Sequence, residues 1–217
     1  MALSFPLSLS DFIEKLKVQS QSFDLPESLV ATGTTDSGDI LTADIGTRLW
    51  TGEIQLAPMP YDEAEGVSAV ISALRQAGRS FFVRNLVKSG PRFDPEGALL
   101  DGFTPKIEAV VSNRELALKG LPQGFVLSPG DYLGFSYGAG PVRHALHDIV
   151  TGGTANASGK ITIEVSSFIR PGVATDAEIT LIKPVCKAVL VPGSVSRGVA
   201  AGQVITGITF KWRQTLR

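Results

Sequence analysis

Both histidines of the chain lie in one short stretch, "PVRHALHDIVTGG", at residues 141–153, with an aspartate directly after the second. Imidazole and carboxylate at the spacing H-x-x-H-D could hold a metal ion or relay a proton. The segment leads into Ile149-Val150 between turn signals, which reads as a strand. Side chains three apart on a strand point to opposite faces. Arg143, Ala145, His147 and Ile149 then share one face, and Val142, His144, Leu146 and Asp148 share the other. Neither a shared metal nor an oriented His147–Asp148 relay follows. The expectation is one exposed histidine and one that is partly buried and hydrogen-bonded.

Other chemistries have less to build on. The chain has no G-x-S-x-G elbow, and the G-x-G in "SYGAGP" is not followed by a helix that could cradle phosphate. Both "SYGAGP" and "TGGTANASG" read as turns. Twenty-one acidic residues leave a glycosidase-like carboxylate pair open, without a motif in its favour. The single cysteine, Cys186, excludes an internal disulfide and a cysteine-based zinc cluster, and reads as a small buried apolar residue. Trp50, Trp212, Tyr132 and Tyr137 could serve a sugar-binding platform, but Tyr132 and Tyr137 are five apart and face opposite ways on a regular strand. Core packing is the plainer reading. No catalytic, cofactor-binding or metal-ligating residue is assigned, and no cofactor is expected.

The elements that would position any site come next. At 217 residues, 43% apolar and 19% charged, the chain is globular in composition and long enough for one large or two small units. Its 23 glycines and 13 prolines favour many turns, hence a β-rich fold. No run approaches the roughly 20 apolar residues that a membrane-spanning helix needs. The N-terminus lacks a positive region and does not read as a secretion signal.

"TRLWTGEIQLAP" alternates, with Trp50, Ile54 and Leu56 inward. "DFIEKLK" at 11–17 reads as a short helix, and "ATGTTDSGDILTADIG" as turn chemistry around a strand. One helix is clear, over 62–77. Asp62 and Glu65 fit a capping box, Val67, Val70, Ile71 and Leu74 form one apolar stripe, and Gly78 fits a left-handed stop. A long loop rich in proline and glycine follows, and the rest alternates between strands and turns. The expected fold is mainly β with one α-helix, an antiparallel β-sandwich or barrel. Residues 1–90 make one part with the helix at 62–77, residues 91–105 the loop, and residues 106–217 a second β part; one continuous domain over 1–217 is the alternative.

Net charge is only −1, but it is polarised. Residues 1–65 hold eleven acids against Lys15, Lys17 and Arg48, whereas residues 179–217 hold six bases and no acid. The two ends either neutralise each other within one fold or meet across subunits.

The order of segments carries a resemblance. "LSLSDFIEKLKVQSQSFDL" is followed by "GTRLWTGEIQLAP" and "EAEGVSAVISALRQAGRSFFV". Then come "LKGLPQGFVLSPGDYLGF", "ALHDIVTGGTANASGKITIEVSSFIRPG" and "ITLIKPVCKAVLVPGS". In this order they resemble the distal tail proteins of siphophages and of related prophage and gene-transfer-agent clusters. The resemblance implies a structural virion protein, made in the host bacterial cytoplasm, that forms a homo-oligomeric ring, commonly a hexamer. Its partners would be the tail tube and the hub or baseplate that carries the receptor-binding apparatus. It implies no catalytic residue, no membrane partner and no sequence-specific nucleic acid. The alternative reading is a carbohydrate-binding β-sandwich module.

Overall fold

The computed structural model describes residues 3–217 and is mainly β with a single α-helix. The alternating run after Leu49 forms the strand Thr51–Leu56, and Trp50, Ile54 and Leu56 are buried as their spacing requires. It lies in a seven-stranded sheet ordered Val18–Gln21, Thr51–Leu56, Val204–Gln214, Cys186–Leu190, Phe81–Val83. Ser196–Ala201 and Met59–Pro60 pair with the long strand Val204–Gln214 as well. Every pairing is antiparallel, and the sheet curls into a half-barrel. Gly52 sits opposite Trp212 in this register. A side chain at 52 would meet the indole at 2.7 Å and run into the Ser22 carbonyl, so the absence of a Cβ lets the strands close over the ring.

The helix spans Tyr61–Leu74 and lays Ala64, Ile71 and Leu74 into this core, with Val67 and Val70 packed against it. It ends three residues before the expected Ala77, although Gly78 does adopt a left-handed φ of 80°. The expected Asp62 cap is not formed. Pro60 precedes the first turn with no side-chain cap, and Asp62 is exposed inside that turn. Met59–Pro60 is committed to the sheet and the Tyr61 amide donates to the Gln203 carbonyl, so the entry is fixed by strand pairing. Residues 11–17 make only the 3-10 turn Ile13–Lys15, with Phe12 and Ile13 buried.

A six-stranded sheet, ordered Ile179–Thr180, Tyr132–Tyr137, Arg143–Thr151, Ile161–Val165, Glu115–Lys119, Lys106–Val110, forms a nearly closed barrel. The Ile107 amide donates to the Ala177 carbonyl and the Ile179 amide to Pro105, drawing its two ends together. Its own core includes Ile107, Leu118, Phe125, Leu133 and Ile163. The sequence division grouped 106–217, whereas the strands between Cys186 and Gln214 pair within the first sheet. Ile208, Phe210 and Trp212 alternate inward there and pack with Ile54 and Phe81, a long-range match that local periodicity does not encode. The second sheet is thus inserted between Val83 and Cys186. Trp50 Nε1 donates to the Leu146 carbonyl at 2.7 Å. Leu146, though on a strand of the second sheet, packs in the first core, so the bond ties the first core to the second sheet.

The loop at 91–105 is pinned to the protein at a few points while most of its residues are exposed. Asp94 is buried, and its carboxylate accepts the Ala98 and Leu99 amides at 2.9 Å. Asp131, also buried, accepts the Arg92 amide. The element that projects is a different one. Leu29–Thr34 and Ile40–Asp44 form a two-stranded arm that pairs only with itself and is exposed along its whole length.

Candidate functional site

The strand Arg143–Thr151 separates the histidines as alternation requires. His144 is half-buried, with Nδ1 3.1 Å from Ser136 Oγ and Phe82 edge-on at 4.8 Å. Burial, with Lys187 nearby, pushes its pKa down. His147 is enclosed in the second core, stacked on Phe135 at 5.6 Å. Its Nδ1 lies 3.0 Å from both the Ser166 carbonyl and Ser167 Oγ. A carbonyl only accepts, so Nδ1 carries the proton and cannot act as a base toward Ser167. Burial holds the pKa of His147 down at about 4.

Asp148 points away from His147, and its buried Oδ1 has no hydrogen-bond partner. Burial raises its carboxyl pKa. The three residues therefore do not converge, and no cluster of three or more metal-ligating side chains occurs among the described residues. Cys186 is buried and its thiol is pushed far up by desolvation, as its reading as a small apolar residue implies. Trp50, Trp212 and Tyr137 are core residues, and Tyr132 packs edge-on to Phe23 and Trp50. The sequence offered these as an aromatic platform, and the fold places them indoors.

What faces solvent is the arm. Along Ile40–Asp44 the alternation puts Leu41 and Ala43 on one face, with Ile45 continuing it, and Val30 sits opposite Ala43. On that face Leu41, Ile45 and Val30 are 50%, 68% and 41% exposed, and on the other Ile40 is 66% exposed. A lone two-stranded ribbon is marginal in water, and one that shows an apolar face gains most from covering it. The signal was present in the sequence, as apolar residues alternate on either side of the Ser37-Gly38 turn. Their exposure was not.

Charge polarity resolves into two parts. Lys183 Nζ binds Glu14 at 2.9 Å and Lys211 lies 3.8 Å from Glu53, so the acid-free C-terminal region partly neutralises the acidic N-terminal one internally. Glu27, Asp36, Asp39 and Asp44 of the arm take no part in any ion pair among the described residues.

A second surface feature lies at the base of the arm, a cleft of 400 Å³ running to the second sheet. Phe168 is 45% exposed in it, with the Arg114 guanidinium 5.0 Å above the ring. Ser167, with a left-handed φ of 60°, turns the chain so that Phe168 faces out. No protein-family model matches this chain, and no curated protein matches it.

Proposed function

We propose that this protein is a non-enzymatic structural subunit of a bacteriophage tail tip. Copies would assemble into a ring that joins the tail tube to the baseplate or receptor-binding apparatus. The observation that carries the reading is the arm, an acidic ribbon with an exposed apolar face that belongs to neither sheet. Such a segment is suited to lie on another chain. The ordered segments that resemble distal tail proteins support it from the sequence side. Purified protein is expected to give a light-scattering mass several times 22.9 kDa, with closed rings in negative stain. A single monomeric mass over the whole accessible concentration range would sink the reading.

The Phe168 cleft favours a second reading, a carbohydrate-binding module. An exposed ring with Arg48, Glu27, Asp44 and Glu164 around it offers a stacking face and hydroxyl-binding groups. If so, a glycan array will light up with the wild-type protein and darken with Phe168→Ala. Silence with the wild type removes this reading.

A further inference from the structure

The arm needs a receiving surface of opposite character, and the chain has one. A groove of 450 Å³ runs between the end of the helix and the turn after Cys186–Leu190. Leu74, Val189, Val191 and Val195 give it an apolar lining, and Arg75 and Arg79 stand at its rim. Arg197 lies next to Arg75 in an adjoining depression, where its Nη2 donates to Ser72 Oγ at 3.1 Å. None of these three guanidinium groups is in an ion pair among the described residues. The helix acids Asp62, Glu63 and Glu65 sit at its other end. From Glu65 to Arg75 the helical rise is about 15 Å, beyond the screening length in physiological salt.

We propose that the tip of the arm in one copy docks into this helix–strand groove of a second copy. Leu41 and Ala43, on one face of the arm, would cover the apolar lining, and Asp36 and Asp39 at its tip would meet Arg75 and Arg79. The inference rests on the assembly reading and names its contact. Acid without base on the arm and base without acid at the groove make the two surfaces complementary to each other and self-repelling to their own kind. They also lie apart in the fold. The arm leaves the chain between Val18–Gln21 and Thr51–Leu56, at one end of the strand order, while the groove borders Cys186–Leu190 toward the other. Different patches meeting head to tail build rings when the rotation closes.

The test is a charge swap read by sedimentation velocity. One variant carries Asp36→Lys and Asp39→Lys, and the other Arg75→Glu and Arg79→Glu. Each alone is expected to associate on the order of a hundredfold more weakly than wild type. An equimolar mixture should recover assembly, because each reversed arm then finds a reversed groove and each native arm a native groove. That recovery also shows that both variants are folded. As an independent readout, copies with Asp39→Cys mixed with copies carrying Arg79→Cys should form a disulfide-linked heterodimer under oxidation. Wild-type protein that assembles while both variants assemble equally well would overturn the docking and leave the ring reading standing. So would a mixture of variants that melt like wild type yet stay dissociated, with no cross-link. A wild type that never associates overturns both.

Discussion

Trp212→Ala is expected to lower unfolding free energy by about 3–5 kcal/mol, the range for emptying a large aromatic site in a core that cannot collapse. Trp212 is fully buried at the centre of the first sheet, 5.0 Å from Phe23 between ring centroids, and lies over the backbone of Gly52. Gly52 has no side chain to move into the void, and the flanking strand Thr51–Leu56 is held in register on both sides. The partner substitution separates volume from polarity. Trp212 Nε1 is buried without a hydrogen-bond partner. Trp212→Phe discards that unsatisfied donor along with part of the ring, so its cost should be only about 1 kcal/mol. Urea titrations of the two variants give both values. An alanine variant within 1 kcal/mol of wild type would mean that the ring does not anchor this core.

The parts legible in the sequence are those fixed by local periodicity. Trp50, Ile54 and Leu56 are buried on one strand, and Val67, Val70, Ile71 and Leu74 face the core from one helix. His144 and His147 fall on opposite faces because strand side chains alternate, whatever the strand is packed against. What local pattern could not show is partnership over distance. The strand Val204–Gln214 reads as a continuation of the β segments before it, yet it pairs with Thr51–Leu56, about 150 residues earlier in the chain. Asp62 and Glu65 satisfy the letter pattern of a capping box, but Pro60 and the Tyr61–Gln203 hydrogen bond had already fixed the helix entry.

The candidate interaction surfaces obey the same limit. Leu41, Ala43 and Ile45 alternate like any half-buried strand, and their face turns outward because no layer packs against the ribbon. Arg75, Arg79 and Arg197 form a basic rim only because the helix packs beside Ser196–Ala201, which brings positions more than a hundred residues apart together. The sequence did carry the net polarity. It could not tell which acids and bases would neutralise each other at home, as Glu14 with Lys183 does, and which would be left over for a partner.

The motif that first invited a catalytic reading has a measurable consequence of another kind. His147 is neutral in the folded protein, with a pKa of about 4 against an ordinary 6.5, because burial beside Phe135 disfavours the imidazolium. Between those values the unfolded chain binds the proton and the folded chain does not, so stability rises with pH across that window. The contribution is fully present above pH 6.5 and is lost as pH falls toward 4, by roughly 3 kcal/mol in total. His144 acts in the same direction, since burial also lowers its pKa. Asp148 opposes both: its raised pKa makes the folded state hold a proton longer, so its contribution weakens as pH rises. Wild type alone therefore mixes signs. His147→Asn isolates the group, because the asparagine amide can reach the Ser166 carbonyl from the position of Nδ1 and does not titrate. The stability advantage of wild type over this variant should shrink by about 3 kcal/mol from pH 7 to pH 4 in urea titrations. Parallel pH profiles for the two proteins would show that His147 is hydrated or charged, and the enclosed neutral imidazole would have to be abandoned. If the profiles converge as stated, the conspicuous histidine is a core residue that senses acid through folding.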